Sequence, residues 1–547
     1  MVVSTASQLP ATYRLWRRFN FPTDDGSVLA VAVPNWVANQ LNAAYSTMIA
    51  MMMVHFWSII IGIVVYFILR RNKLKPHGLH PLAPTLWNKR SDLLDSMIET
   101  FMYTKDDWGR LWLYCLFVLI LAAWVGQTVM GIVVPPLIIA GNAAPVDASV
   151  IYIPDDQNNE APVLTTRFAL EVPWALRALG SANVANGDVS KKVRVSRPIQ
   201  VGKRDNGEDI QRIDYGYRVT GADFGLQKHT DLTLDVTGAC VTEYGWLESS
   251  HVTLSGSTGV AIDSYQVFDE PKLVQVSLFQ GPQPVASFHL GSLTKGTLDT
   301  SNNTWAMVVS SVNRTSFSPG ADPLYLTGPG ASGDGYSIKP ARPVLSCWQD
   351  DVWSYQGRNS TVDALMADTF PSLALPQGLQ NIFIRYLGEP MIRQVGARLA
   401  SSALLSATTS TGQIFDAASS SMYNDLKRLV LASFIATTNI LTDSTLYPDG
   451  AERQVPNAAL DDSGQLFDGL ADFVVWTPDV SALSLTVVIA IPSALVGVWL
   501  LAILLLYWTP VRLVNALDSN DMYQKLTDNH QHATLVYDKK DGATWNL

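Results

Sequence analysis

Three uninterrupted apolar runs constrain this chain more than any other feature. Tyr45–Leu69 (YSTMIAMMMVHFWSIIIGIVVYFIL), Leu111–Val134 (LWLYCLFVLILAAWVGQTVMGIVV) and Leu483–Trp508 (LSLTVVIAIPSALVGVWLLAILLLYW) contain no Asp, Glu, Lys or Arg. Each provides the roughly 20 apolar residues that a hydrocarbon core about 30 Å thick demands, because inside lipid a helix satisfies its own backbone. The 547-residue chain is 48% hydrophobic and only 16% charged, and these runs concentrate the excess over a soluble enzyme. The first 40 residues lack the early apolar region and small-residue cleavage site of a signal peptide, so the first run is expected to act as an uncleaved targeting signal.

Orientation follows from the basic residues beside the runs, since positive loops resist translocation. Arg70, Arg71, Lys73, Lys75, Lys89, Arg90, Lys105 and Arg110 lie between the first two runs, and Arg512 and Lys525 follow the third. No basic residue occurs just after the second run, and Asp461, Asp462, Asp468, Asp472 and Asp479 precede the third. The loop 70–110 and the tail 509–547 are therefore expected in the cytosol. Residues 1–44 and the large middle region are expected outside or in a lumen. The sequons at Asn302 (NNT), Asn313 (NRT) and Asn359 (NST) all fall in that middle region and are glycosylation candidates. So do Cys240 and Cys347, whereas Cys115 sits inside the second run. In an oxidising compartment such a pair reads first as one disulfide, with two free buried thiols as the alternative.

From about Ala148 to Leu345, stretches such as IDYGYRVTG, DLTLDVTGACV and NTWAMVVSSV alternate β-branched or aromatic residues with polar ones between turn residues, which predicts strands. After Thr361 the period changes. Met391, Val395 and Leu399, and then Leu426, Val430 and Phe434, recur at helical spacing. Residues 135–361 are thus expected to form a β-rich outer domain, 362–446 a helical layer, and 447–482 an acidic linker or docking strap leading back to the membrane. The expected class is an α+β membrane protein: three transmembrane helices (45–69, 111–134 and 483–508) with a β-rich outer domain followed by helices.

Motifs for chemistry are scarce. GPGASG (Gly328–Gly333) fits G-x-G-x-x-G but leads into DGYSIKPARPV rather than a helix, so it reads as a turn. No catalytic, cofactor-binding or metal-ligating set is assigned. His77 and His80 have H-x-x-H spacing without a nearby cysteine or carboxylate, and His229, His251 and His289 read as surface or packed side chains. The segment VLSCWQDDVWSYQGRNST is the densest in functional side chains. Its adjacent Asp350 and Asp351 would point to opposite faces of a strand and cannot act together as a glycosidase pair. Trp348, Trp353 and Tyr355 read first as packing beside a disulfide and second as a surface for a sugar or another planar ligand. Within the apolar runs, His55, Gln127 and Ser493 are predicted at similar depth, where they would pin the helices together or serve a function. Tyr523 and Leu526 form a tyrosine-x-x-apolar sorting pattern in the tail.

CWQDDVWSYQG and SSSMYNDLKRLVLASFIATTNILTDSTLYP resemble segments of a group of uncharacterised filamentous-fungal membrane proteins with two early spans, a glycosylated outer domain and one late span. The resemblance implies that architecture and supplies no catalytic residue. It adds one contextual expectation, an accessory membrane role in making, sensing or exporting a secondary metabolite. The principal expectation is binding or scaffolding of a small molecule or glycan at the plasma membrane or a secretory or vacuolar membrane, with the bilayer itself as a partner and a homo-oligomer open. Neither a nucleic-acid partner nor a cofactor is expected. An outward-facing hydrolase is the remaining alternative.

Overall fold

The computed structural model describes residues 12–508 except 72–85, 88–91, 107–110, 156–159, 186, 256–257, 269–272, 277–283, 292–301, 312–313, 331–334, 362–372, 409–414 and 449. In chain order, the helices that organise it are α1 (Asn35–Arg71), α2 (Leu93–Asp106), α3 (Leu111–Val133), α4 (Ala161–Asn183), α5 (Gln377–Leu387), α6 (Met391–Leu399), α7 (Met422–Asp443) and α8 (Leu485–Trp508). The principal strands are β1 (Gly26–Pro34), β2 (Val193–Val195), β3 (Ile199–Lys203), β4 (Asp209–Thr220), β5 (Thr233–Glu243), β6 (Leu247–Ser255), β7 (Thr258–Tyr265), β8 (Val274–Val276), β9 (Val285–Leu290), β10 (Asn302–Ser310), β11 (Val344–Tyr355), β12 (Arg358–Thr361) and β13 (Val480–Ser484). The chain divides into two units, one built mainly from residues 29–142 and 478–508, the other mainly from 143–477.

The first unit contains three helices long and apolar enough to cross a membrane, with spans at Asn35–Val64, Tyr114–Ile138 and Leu485–Leu505. α1 begins at Asn35, so the expected start at Tyr45 is corrected by ten residues. Hydropathy misses those residues because NWVANQLNAA mixes amides with apolar side chains. Polar bonds fix the start instead: the Asn35 amide nitrogen donates to the Asp479 carbonyl (3.2 Å), and Ser481 Oγ donates to Asn35 Oδ1 (2.6 Å). β13 is buried at every position and pairs antiparallel with Ala30–Pro34 of β1.

In the second unit an eight-stranded sheet has the order β9-β10-β11-β5-β4-β2, with β12 beside β11 and β3 beside β4. α7 lies against β4 and β2, α6 against β9, and α4 against α7, giving a helical layer over one sheet face. Leu426, Val430 and Phe434 of α7 and Met391, Val395 and Leu399 of α6 are all buried in the joint core. Burying one large apolar side chain is worth about 1.5–3 kcal/mol, so these two stripes largely fix the helical layer on the sheet.

Two expectations are corrected here. The all-strand reading of 148–345 missed α4, which buries Glu171, Trp174, Ala175, Ala178, Leu179 and Ala182 at helical spacing. Its β-branched residues and internal Pro173 lower local helix propensity, and tertiary packing overrides that deficit. Glu171 sits between Arg385 of α5, 3.0 Å away, and Arg398 of α6, which also lies over the Trp174 ring at 5.2 Å. The second correction concerns 447–482, which is packed structure rather than a linker. Val455, Ala459, Leu470, Phe473 and Val474 are buried, and Asp461 Oδ1 accepts from the Ser463 and Gln465 amides to close a turn. Its acidic residues mark turns between core anchors.

Candidate functional site

β11 carries the segment that the sequence singled out, and its period of two sorts those residues between two faces. Cys347, Gln349, Asp351, Trp353 and Tyr355 point into the core, whereas Ser346, Trp348, Asp350, Val352 and Ser354 alternate with them. Cys347 stands directly opposite Cys240 of β5, with Cα atoms 4.1 Å apart, and the two form a disulfide. Trp353 is fully buried, stacked on Phe224 at 6.1 Å and tilted against Phe383 at 4.9 Å. Tyr355 is buried too. The trio Trp348, Trp353 and Tyr355 therefore does not form one surface, because the odd and even positions of a strand face apart. Trp348 alone stays 36% exposed.

The outward face around Trp348 forms a trough of about 610 Å³ bordered by Arg194, Ser196, Asp214, Gly216 and Thr237. Strand register explains the assembly: Trp348 pairs with Ala239, Ala239 with Asp214, Thr237 with Gly216, and Gly216 with Arg194. Small residues next to the indole keep the floor low. A Cβ on Gly216 would stand 2.8 Å from the Val236 carbonyl oxygen, so only glycine fits the backbone there. On the opposite face Gly238 makes room for Tyr215, whose ring would meet a Cβ at 2.4 Å. Arg212 Nε donates to Asp214 Oδ1 at 2.8 Å, and the Asp214 amide donates to Ser196 Oγ at 2.8 Å. Among the described residues the Arg194 side chain has no hydrogen-bond or ionic partner, and it is exposed. An indole face, a guanidinium, a carboxylate and hydroxyls on a flat floor suit stacking against a ring and hydrogen bonding at its edge.

Among the described residues no nucleophile is hydrogen-bonded to a base in the trough. Beneath it runs a buried polar chain: Trp305 Nε1 donates to Tyr215 Oη (3.1 Å), Tyr215 Oη to Gln349 Oε1 (3.0 Å), and Gln349 Nε2 to Asp351 Oδ1 (2.9 Å). Burial pushes the Asp351 carboxyl up to about 7, against the lowering effect of the Gln349 hydrogen bond. Sequence reasoning separated Asp351 from Asp350 correctly but missed this chain, whose members come from three strands. Burial likewise lifts Asp322 and Asp425 to about 6. Asp425 accepts from Tyr325 Oη and Ser406 at the start of α7, and Asp322 from the Met422 amide, so both anchor that helix.

His229, His251 and His289 do not converge. His229 Nδ1 bonds Tyr355 Oη at 2.8 Å, His251 is exposed on β6, and His289 Nε2 meets Ser287 Oγ at 3.1 Å on β9. Burial lowers the His229 pKa. Among the described residues no group of three His, Cys, Asp or Glu side chains could hold a metal ion.

In the helical unit His55 of α1 and Gln127 of α3 are half-buried and Ser493 of α8 is exposed, and among the described residues no hydrogen bond joins the three. Two other contacts pin the helices. Ser46 Oγ of α1 donates to the Gly131 carbonyl of α3 at 3.1 Å, and Tyr45 Oη donates to the Val488 carbonyl of α8 at 2.7 Å. The second follows from covalent structure, since Pro492 lacks the N–H that would bond the carbonyl four residues back. A tyrosine near the end of a run looks like an interfacial anchor in sequence, so its partner was not evident.

Asn359 is exposed in β12 and its Oδ1 accepts from Ser354 Oγ at 2.8 Å. Asn302 opens β10. Asn313, His77, His80, Tyr523 and Leu526 lie outside the described residues. Compared with curated proteins and with solved structures, the chain has no match in either set. A match to a protein family covers residues 172–475, which takes in the sheet, the trough and the helical layer. That match spans more than half the chain, and the protein belongs to the family described as Domain of unknown function (DUF8406).

Proposed function

We propose that this protein is a three-span membrane glycoprotein whose disulfide-stapled outer domain binds a glycan on the sheet face around Trp348. The observation that carries the reading is the trough itself: an exposed indole beside glycine and alanine, with the exposed Arg194 side chain and the Asp214 carboxylate on the same border. Binding rather than turnover fits the absence, among the described residues, of converging histidines and of a solvent-facing carboxylate pair within the trough. The basic loop between the first two helices and the sequons of the middle region support an orientation with this domain outside the cytosol.

The test uses the full-length protein in detergent on an oligosaccharide array. Wild-type protein is expected to be retained on a defined subset of glycans, and Trp348→Ala to lose that retention while keeping its disulfide and circular dichroism. Equal retention of both proteins, or retention of neither, contradicts the proposal.

A further inference from the structure

α2 lies in the segment between the first two spans, which sequence reasoning assigned to a cytosolic loop, yet its surface is unlike that of a solvated helix. Successive residues advance about 100° around a helix, which divides α2 into three sectors. Leu93, Ser96, Met97 and Thr100 form one, and Leu93, Ser96 and Thr100 are buried against the rest of the helical unit. Asp92, Asp95, Glu99 and Asp106 form the second, by position in the sequence. The third is apolar and open: Leu94, Ile98, Phe101 and Met102 are 47%, 42%, 57% and 56% exposed.

The height of α2 along the spans identifies what covers that third sector. Leu93 belongs to one cluster with Trp57 and Ile61 of α1 and with Leu116 and Ile120 of α3. The Phe101 ring lies 5.7 Å from that of Phe117. Ile120 is six residues, about 9 Å, inside the span that begins at Tyr114. The open stripe therefore sits level with the first turns of a span, continuous with its own outward apolar residues Val118, Leu119 and Leu121. The Thr100 hydroxyl and the first backbone amides of the helix are satisfied locally, which lowers the cost of contact with hydrocarbon. Thr100 Oγ donates to the Ser96 carbonyl at 2.7 Å, and Asp92 Oδ1 accepts from the Leu94 and Asp95 amides at 2.9 and 3.1 Å. In sequence Lys89 and Arg90 precede the helix, Lys105 falls in its last turn and Arg110 follows it, and such residues suit anionic headgroups.

We propose that α2 is an interfacial membrane helix whose Leu94, Ile98, Phe101 and Met102 stripe lies against acyl chains at the headgroup boundary of the leaflet facing the 70–110 loop. This rests on the reading of α1, α3 and α8 as membrane spans. Helices with one apolar and one charged face settle about 5–10 Å into that boundary, in keeping with the position of α2 beside α3.

The test places single cysteines at 94, 98, 101 and 102, and at 99 for contrast, in full-length Cys115→Ser protein reconstituted into vesicles. Each is labelled with a small thiol-reactive fluorophore. The proposal expects severalfold stronger quenching by lipid-borne nitroxides than by aqueous iodide at the four stripe positions, and the reverse for Glu99→Cys. Iodide quenching at the stripe overturns it, as does shielding of the stripe from both quenchers, which would mean that another protein surface or a second copy covers it. Alkaline carbonate extraction of the same vesicles separates the two readings. Protein released by carbonate refutes the spans themselves, whereas retained protein with a water-accessible stripe refutes only the role of α2.

Discussion

Replacing Asp351 by Asn should change the stability of the unit built on the eight-stranded sheet in a pH-dependent way whose sign follows from burial. The Asp351 side chain lies in the core with Gln349 Nε2 at 2.9 Å from one oxygen and 3.2 Å from the other, and no cation beside it among the described residues. Its folded-state pKa of about 7 therefore exceeds the ordinary value of an unfolded aspartate, about 3.9. Below both values the carboxyl is protonated in either state and contributes no pH dependence. As pH rises from about 4 to about 7 the unfolded chain releases a proton that the folded chain retains, so stability falls. Between pH 5 and pH 7.5 that fall amounts to about 2–3 kcal/mol for this one group, in order of magnitude. Asparagine preserves the acceptor for Gln349 and has no proton to release, so Asp351→Asn should lack this component. Pulse proteolysis of the full-length protein in urea at the two pH values measures it. The variant should gain about 2–3 kcal/mol on wild type on going from pH 5 to pH 7.5. An offset that stays constant with pH would refute a buried, uncompensated carboxyl. Asp322, Asp425 and Asp443 are also raised by burial, and the wild-type comparison cancels their contributions.

Three other perturbations test separate parts of the structure. Cys240→Ala with Cys347→Ala removes a link across a sequence separation of 107, with a loss of up to about 4–5 kcal/mol expected in the unfolding free energy of the unit that holds the sheet, read from its urea transition. Tyr45→Phe should cost about 1 kcal/mol in a helix-association assay. Most of that cost should vanish in the Pro492→Ala background, where residue 492 supplies its own N–H to Val488; equal costs in both backgrounds would exclude the pairing. Glu171→Gln leaves Arg385 and Arg398 near a buried site without their counter-charge and should destabilise by about 3–5 kcal/mol, read as earlier cleavage in pulse proteolysis.

Periodicity carried much of the architecture. Alternation in IDYGYRVTG and DLTLDVTGACV marked β4 and β5, and the stripe Leu426, Val430 and Phe434 marked α7, because in each case one face is buried against a layer. Apolar length likewise marked the three long helices. It failed at α4, where Pro173 and β-branched residues weaken a local helix signal that packing around Glu171 overrides. It also failed at 447–482, where acidic turn residues hide the core anchors Phe473 and Val474. The trough was half legible: the composition of β11 drew attention to Trp348, but only register reveals that Trp353 faces away and that Arg194, Asp214 and Gly216 line up beside the indole. Long-range pairing of this kind leaves no trace in a single strand's sequence. Nor does the bond from Tyr45 to Val488, which joins residues 443 positions apart.

Radical footprinting of tryptophans with and without a retained oligosaccharide tests the central claim most directly. Trp305 and Trp353 are fully buried and give the background, while Trp476, 39% exposed, reports nonspecific shielding. Binding at the proposed face should suppress oxidation of Trp348 while Trp476 continues to react at its free rate. Unchanged oxidation of Trp348 under saturating glycan would contradict the claim and place recognition elsewhere on the protein.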